Sequence, residues 1–156
     1  MKKRLFIALL VAIVACLFAL SVSAANEVTL TSGETVDFET VFKIGSVNWK
    51  GLDGVTTKVD NVVTGYNTGY TKNDIVHVTF PDEINGIESN FLFGKSNSVP
   101  ASTTLKTLTF EATDTFFING DGMFAECSVT KVTFNPNCVV DFRKGNFAEC
   151  TSLTQI

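Results

Sequence analysis

Apolar positions recur along the second half of the chain in a fixed order. Leu105, Leu108 and Phe110 are followed by Ile118, Phe124 and Cys127, and the order then restarts with Val129, Val132, Phe134, Phe142, Phe147 and Cys150. Leu153 and Ile156 open a partial copy, and upstream Ile75, Val78 and Phe80 keep the spacing of Leu105, Leu108 and Phe110. The copies therefore run over 75–104, 105–128 and 129–152, with a partial one at 153–156. The step from Leu105 to Val129 is 24 residues and that from Ile75 to Leu105 is 30, which places an insertion within GKSNSVPAST of the first copy. Words repeat along with the pattern, since GMFAEC at 122–127 returns as GNFAEC at 145–150. Self-similarity at a fixed period marks a chain built by stacking one supersecondary unit.

Each copy opens on alternation of apolar residues with threonine, as in Val132-Thr133-Phe134, and this period of two predicts a strand. Copies stacked in register form a parallel sheet, with Leu108 and Phe110 turned inward and Thr107, Thr109 and Glu111 outward. The same rule sends His77, Thr79, Lys131 and Thr133 to the outer face, in columns across the stack. A single copy cannot bury its own phenylalanines, so stability must come from neighbouring copies.

These residues resemble the BspA-like leucine-rich repeats of surface and secreted proteins. Phe147-Ala148-Glu149-Cys150-Thr151-Ser152-Leu153 is similar to that family's Ala-Phe-x-x-Cys-x-x-Leu ending, and Phe124 to Val129 follows it with one residue fewer. Val78-Thr79-Phe80-Pro81 is similar to the family's strand and its proline. The chain departs from the pattern at Met123 and Asn146, which stand where the family has alanine, and at Glu111, which stands where Pro81 does in the first copy. The resemblance covers 75–156 and implies a mainly β fold: a right-handed leucine-rich-repeat solenoid with a short parallel sheet and few or no long helices. It also implies adhesion to other cells.

Residues 25–74 lack the repeat. Val28-Thr29-Leu30 and Thr35-Val36-Asp37-Phe38 alternate, and Gly45, Gly51, Gly54, Gly65 and Gly69 punctuate the apolar pieces that follow. Short strands and turns result, read as a β-rich N-terminal cap that covers the first coil, or as a small separate module.

Lys2, Lys3 and Arg4 precede an apolar run from Leu5 to Leu20, and Ser21-Val22-Ser23-Ala24 supplies small residues for cleavage, so 1–24 is expected to be a secretory signal peptide. An uncleaved anchor and a lipidated Cys16 are the competing readings, and all three place the protein outside the cytoplasm, secreted or at the cell surface. Without this segment, nine basic side chains face sixteen acidic ones, a net charge of −7. An acidic surface without basic clusters is a poor match for nucleic acid or anionic membrane, so contact with membrane is expected only through the signal segment, where that is uncleaved or lipidated.

Cys127 and Cys150 share a repeat position, which adjacent strands bring about 4.8 Å apart, within range of a disulfide. The family resemblance favours buried thiols instead. Cys138 has no counterpart in the preceding copy and reads as an inert loop thiol or a site of intermolecular pairing. With one histidine and no CxxC pair, no metal site or cofactor is expected; Asn119-Gly120-Asp121-Gly122 reads as a turn rather than a calcium loop. His77 lacks a nucleophile elbow, and pairs such as Asp82 with Glu83 or Asp60 with Asp74 carry no sign of an acid–base site, so no enzyme activity is expected.

The expected function is a leucine-rich-repeat binding module whose sheet face, carrying His77, Thr79, Thr107, Thr109, Lys131 and Thr133, contacts an extracellular protein or glycan. The alternative is a stalk or assembly element, or a fragment of a larger surface protein, self-associating through an uncapped C-terminal end.

Overall fold

The computed structural model describes residues 26–50, 54–89, 92–142 and 145–156. The expected signal peptide at 1–24 lies outside them. Among the described residues ten strands run in the order β1 Glu27–Leu30, β2 Thr35–Asp37, β3 Phe42–Lys50, β4 Thr56–Tyr66, β5 Ile75–Phe80, β6 Gly86–Ile87, β7 Thr107–Phe110, β8 Thr115–Ile118, β9 Lys131–Phe134 and β10 Val139–Phe142. One helical turn, α1 Phe38–Val41, precedes β3, and a 3-10 turn over Lys72–Asp74 precedes β5.

The strands form two five-stranded sheets, one ordered β2-β1-β5-β7-β9 and the other β10-β8-β6-β4-β3. Each repeat gives one strand to each sheet. In the first sheet β5, β7 and β9 are parallel and in register, Val78 opposite Leu108 opposite Val132 and Phe80 opposite Phe110 opposite Phe134. In the second, β8 is parallel to both β6 and β10.

The expectation of one short parallel sheet is corrected here: there are two sheets, and both are mixed. The second sheet arises because Thr115-Phe116-Phe117-Ile118 itself alternates, with Phe116 and Ile118 fully buried and Thr115 and Phe117 half-buried. Antiparallel pairing enters from the N-terminal residues. There β1 lies antiparallel on β5 with β2 outside it, while β4 lies parallel on β6 and antiparallel to β3. Val28, Phe38, Val41, Phe42 and Val63 from this region belong to the same core as Phe80 and Phe110.

The core is ordered by phenylalanine. Phe80 stacks on Phe110 with ring centroids 4.9 Å apart, and Phe110 on Phe134 at 5.0 Å. A second column joins Phe93 to Phe124 at 5.7 Å and Phe124 to Phe147 at 4.9 Å. Phe116 from the second sheet meets Phe80 and Phe110 edge-on.

The repeated GxFAEC segment forms the turn that carries the second column. Its glycines, Gly122 and Gly145, both have positive φ (63° and 72°), a region costly for residues with a Cβ. Glu126 and Glu149 share that region at 61° and 56° without the benefit of glycine. Turns of neighbouring copies join through the backbone: Phe93 N–H donates to Met123 O (3.0 Å), and Phe124 N–H to Asn146 O (3.0 Å). At Gly94 the backbones come so close that a Cβ would sit 2.0 Å from Gly122 O.

The thiols continue the same logic. Cys127 Sγ donates to Phe93 O and Cys150 Sγ to Phe124 O, each at 3.0 Å and each one copy upstream, and Cys127, Cys138 and Cys150 are all free. In the first copy Ser102 holds this position. Its N–H donates to Phe93 O (2.8 Å) as that of Cys127 does to Phe124 O (3.1 Å), and its hydroxyl donates upstream to Lys72 O (2.9 Å).

Burial pushes the Cys127 thiol up to about 12 from an ordinary value of 9.0. A thiol whose pKa is higher folded than unfolded stabilises the protein fully below about pH 9, and that stabilisation is lost as pH rises toward 12. Urea midpoints at pH 8 and 10.5 should therefore fall more steeply in the natural protein than in Cys127→Ser, which keeps a donor but no titrating thiol. Equal slopes would contradict a buried, protonated Cys127.

Candidate surface: the outer face of the first sheet

Strand alternation sorts each copy into a buried and an exposed set. Val78, Leu108 and Val132 point into the core, while His77, Lys131 and Thr133 are exposed and Thr79, Thr107 and Thr109 are half-buried on the outer face. Because the parallel register is unbroken, His77 lies opposite Thr107 and Thr107 opposite Lys131; Thr79 lies opposite Thr109 and Thr109 opposite Thr133. All six residues expected from the repeat are thus brought onto one face, in two rows with a spacing of about 4.8 Å.

The N-terminal strands lengthen the first row. Thr29 of β1 lies opposite His77, and Thr35 of β2 opposite Thr29. Gln155 bridges to Lys131 at the other end. The row therefore reads Thr35, Thr29, His77, Thr107, Lys131, Gln155. Thr29 and Thr35 escaped the sequence reading because they lie outside the repeat, and an antiparallel pairing with a residue some 48 positions away leaves no spacing signal.

His77 Nδ1 and Thr107 Oγ1 share a hydrogen bond of 2.5 Å. The hydroxyls of Thr79, Thr109 and Thr133 and the ammonium of Lys131 bond no other described residue. Charge is graded along the sheet: Glu27 and Asp37, paired across β1 and β2, sit at one end and Lys131 at the other. A shallow cleft of about 680 Å³ borders the Lys131 end, between Thr133 and the segment from Thr154 to Ile156. The face can thus offer hydroxyl, imidazole and ammonium groups on a regular lattice, a set suited to recognition by hydrogen bonding.

The carboxylates weighed for acid–base chemistry are committed elsewhere. Asp82 Oδ1 accepts from Thr113 N (2.6 Å) and Oγ1 (2.9 Å), and Glu83 Oε1 accepts from Asn26 Nδ2 (2.9 Å). Asp74 Oδ2 accepts from Thr71 N (2.8 Å) and Oγ1 (2.7 Å), closing the 3-10 turn. Asp60 accepts from Lys58 at 2.6 Å and from the Ser46 hydroxyl, and these two bonds hold its carboxyl below the usual range.

Comparison with protein-family models, with curated proteins and with solved structures finds no match to this chain.

An exposed lattice of this kind tolerates change without loss of fold. His77→Ala, Lys131→Ala and Thr133→Ala should each alter unfolding free energy by less than about 0.5 kcal/mol in urea titrations. A loss above about 1.5 kcal/mol in any of them would show that the side chain supports the core.

Proposed function

We propose that the protein is a secreted or surface-held binding module of the BspA-like leucine-rich-repeat kind, adhesive in role, that takes an extracellular protein or glycan on the outer face of its first sheet. The observation that carries this reading is the unbroken register of His77, Thr107 and Lys131 beside Thr79, Thr109 and Thr133. Threonine suits a solvated strand by propensity and cross-strand packing, and a column of it also presents hydroxyls at a fixed spacing. Here the second row is threonine in all three copies, and those hydroxyls bond no other described residue.

Two further features support the assignment to these repeats. Phe124 and Phe147 stack in one column at the phenylalanine of the Ala-Phe-x-x-Cys motif, and Cys127 and Cys150 each donate one copy upstream. An extended, regular face is the surface that stacked-repeat proteins use for partners. In this reading no catalytic group, metal or cofactor takes part; binding rests on hydroxyls, one imidazole and one ammonium.

The test is retention of ligands by the purified protein on arrays of glycans and extracellular proteins, run beside the triple variant His77→Ala, Thr109→Ala, Lys131→Ala. The expected result is at least one retained ligand whose affinity falls by about tenfold or more in the variant. Retention that the variant leaves unchanged would overturn the assignment to this face. No retained ligand, together with concentration-dependent growth to filaments on a sizing column, would favour the assembly element instead.

A further inference from the structure

Six residues lengthen the first repeat relative to the second, the step being 30 against 24. Because Ser102 holds the backbone position that Cys127 and Cys150 hold later, the extra residues fall between Phe93 and Ser102, in the loop Gly94 to Ala101. That loop is internally tied: Ser96 N–H donates to Val99 O (2.9 Å), and Val99 N–H to Ser96 Oγ (3.1 Å). Its end, Ala101, joins the core, but its tip carries Val99, 49% exposed. What it builds is the wall of a cleft.

The cleft has a volume of about 500 Å³, in the range of small-molecule sites. Ser96 and Val99 of the loop form one side, and Tyr66 and Tyr70 supply aromatic surface. Tyr66 is fixed by its hydroxyl, which donates to Leu92 O at 2.7 Å. Asn73 and Ser89 also line the space, and their side chains, like the Tyr70 hydroxyl, bond no other described residue.

Lys72 lines the same cleft and is the unusual member. It is only 8% exposed, and its Nζ donates to Gly94 O at 2.7 Å. No other described residue bonds the ammonium, and no carboxylate of a described residue lies within salt-bridge distance of it. Asp74, its near neighbour in sequence, is held by Thr71 instead. Two of its three N–H groups thus meet no acceptor among the described residues. A cation partly withdrawn from water with one neutral acceptor carries a desolvation cost, and its pKa is lowered by burial. A carboxylate is the complement that removes the cost. Tyr66, whose ring is also packed against Phe42 and Phe93, and Tyr70 supply aromatic lining beside hydroxyl and amide groups, a combination that matches a pyranose ring with C–H bonds on its faces and hydroxyls at its edge.

We propose that this cleft binds an acidic monosaccharide, free or as the terminal unit of a glycan, with its carboxylate on Lys72 and its ring against Tyr66 and Tyr70. The site is separate from the outer face of the first sheet, and either can fail without the other.

The experiment is an NMR titration of the purified protein without the apolar segment 1–24 with galacturonate, galactose, acetate and trigalacturonate, following the tyrosine ring signals. Galacturonate should bind saturably and about tenfold more tightly than galactose. Lys72→Met should remove that difference, and Asn73→Ala, at an exposed position, should weaken galacturonate while the fold is kept. Trigalacturonate binding as well as or better than the monosaccharide supports a glycan end as the natural source; galacturonate alone supports the free acid. The proposal is overturned if galacturonate gives no saturable shift, if acetate or galactose binds equally well, or if folded Lys72→Met or Asn73→Ala binds galacturonate like the natural protein.

Discussion

Phe80, Phe110 and Phe134 lie one upon another, and so do Phe93, Phe124 and Phe147. Each ring stacks on its counterpart in an adjacent copy, and Phe110 also meets Phe116 and Phe124 of its own copy edge-on, so the core is shared between copies rather than divided among them. Burying a phenyl ring contributes about 1.5–3 kcal/mol, and a good aromatic pair adds about 0.5–1.5 kcal/mol. Those gains exist only when copies keep one register, because a slip of one residue would turn the whole apolar set outward. The rest of the molecule is arranged to hold that register. Gly122 and Gly145 take the positive φ that brings the phenylalanine turn over the sheet, and Gly94 lets the neighbouring turn approach to backbone contact. Cys127 lies in the core and Cys150 packs against it, and both donate to the copy upstream.

From this constraint the outer surface follows. Inner residues locked in register lock the outer ones, since successive side chains alternate across a strand. The rows of His77, Thr107 and Lys131, and of Thr79, Thr109 and Thr133, are therefore the exterior image of the phenylalanine columns. The Lys72 cleft has the opposite origin. It forms where the repeat is interrupted, between the six extra residues of the first copy and the tyrosines of the non-repeating region. Regularity yields an extended face, and its interruption yields a concave one.

Strand positions β5, β7 and β9, the burial of Leu105, Leu108 and Phe110, and the grouping of the outer residues were legible in spacing alone. Periodicity reports what one copy shares with the next, and these features are shared. The second sheet was harder to see, because Gly86–Ile87 is too short to show alternation and only Thr115–Ile118 displays it clearly. Ser102 went unrecognised as the counterpart of Cys127 because the insertion moved it and serine replaced the thiol, although both donate to a carbonyl upstream. Residues 27–66 could be assigned strands but not partners, since β1 on β5 and β4 on β6 are long-range pairings without a repeated motif. Lys72 gave no signal at all. A lysine in a short turn is ordinarily solvated, and only tertiary packing shows that this one is buried.

The central claim is that phenylalanines of adjacent copies stabilise one another directly. A double-mutant cycle on Phe80 and Phe110, using Phe80→Leu, Phe110→Leu and the pair, measures this by urea unfolding. The stacked rings at 4.9 Å predict a coupling energy of about 1 kcal/mol, each single change weakening the other's contribution. Losses that add to within about 0.3 kcal/mol would contradict the account, for they would mean that each copy holds its phenylalanine independently of the next.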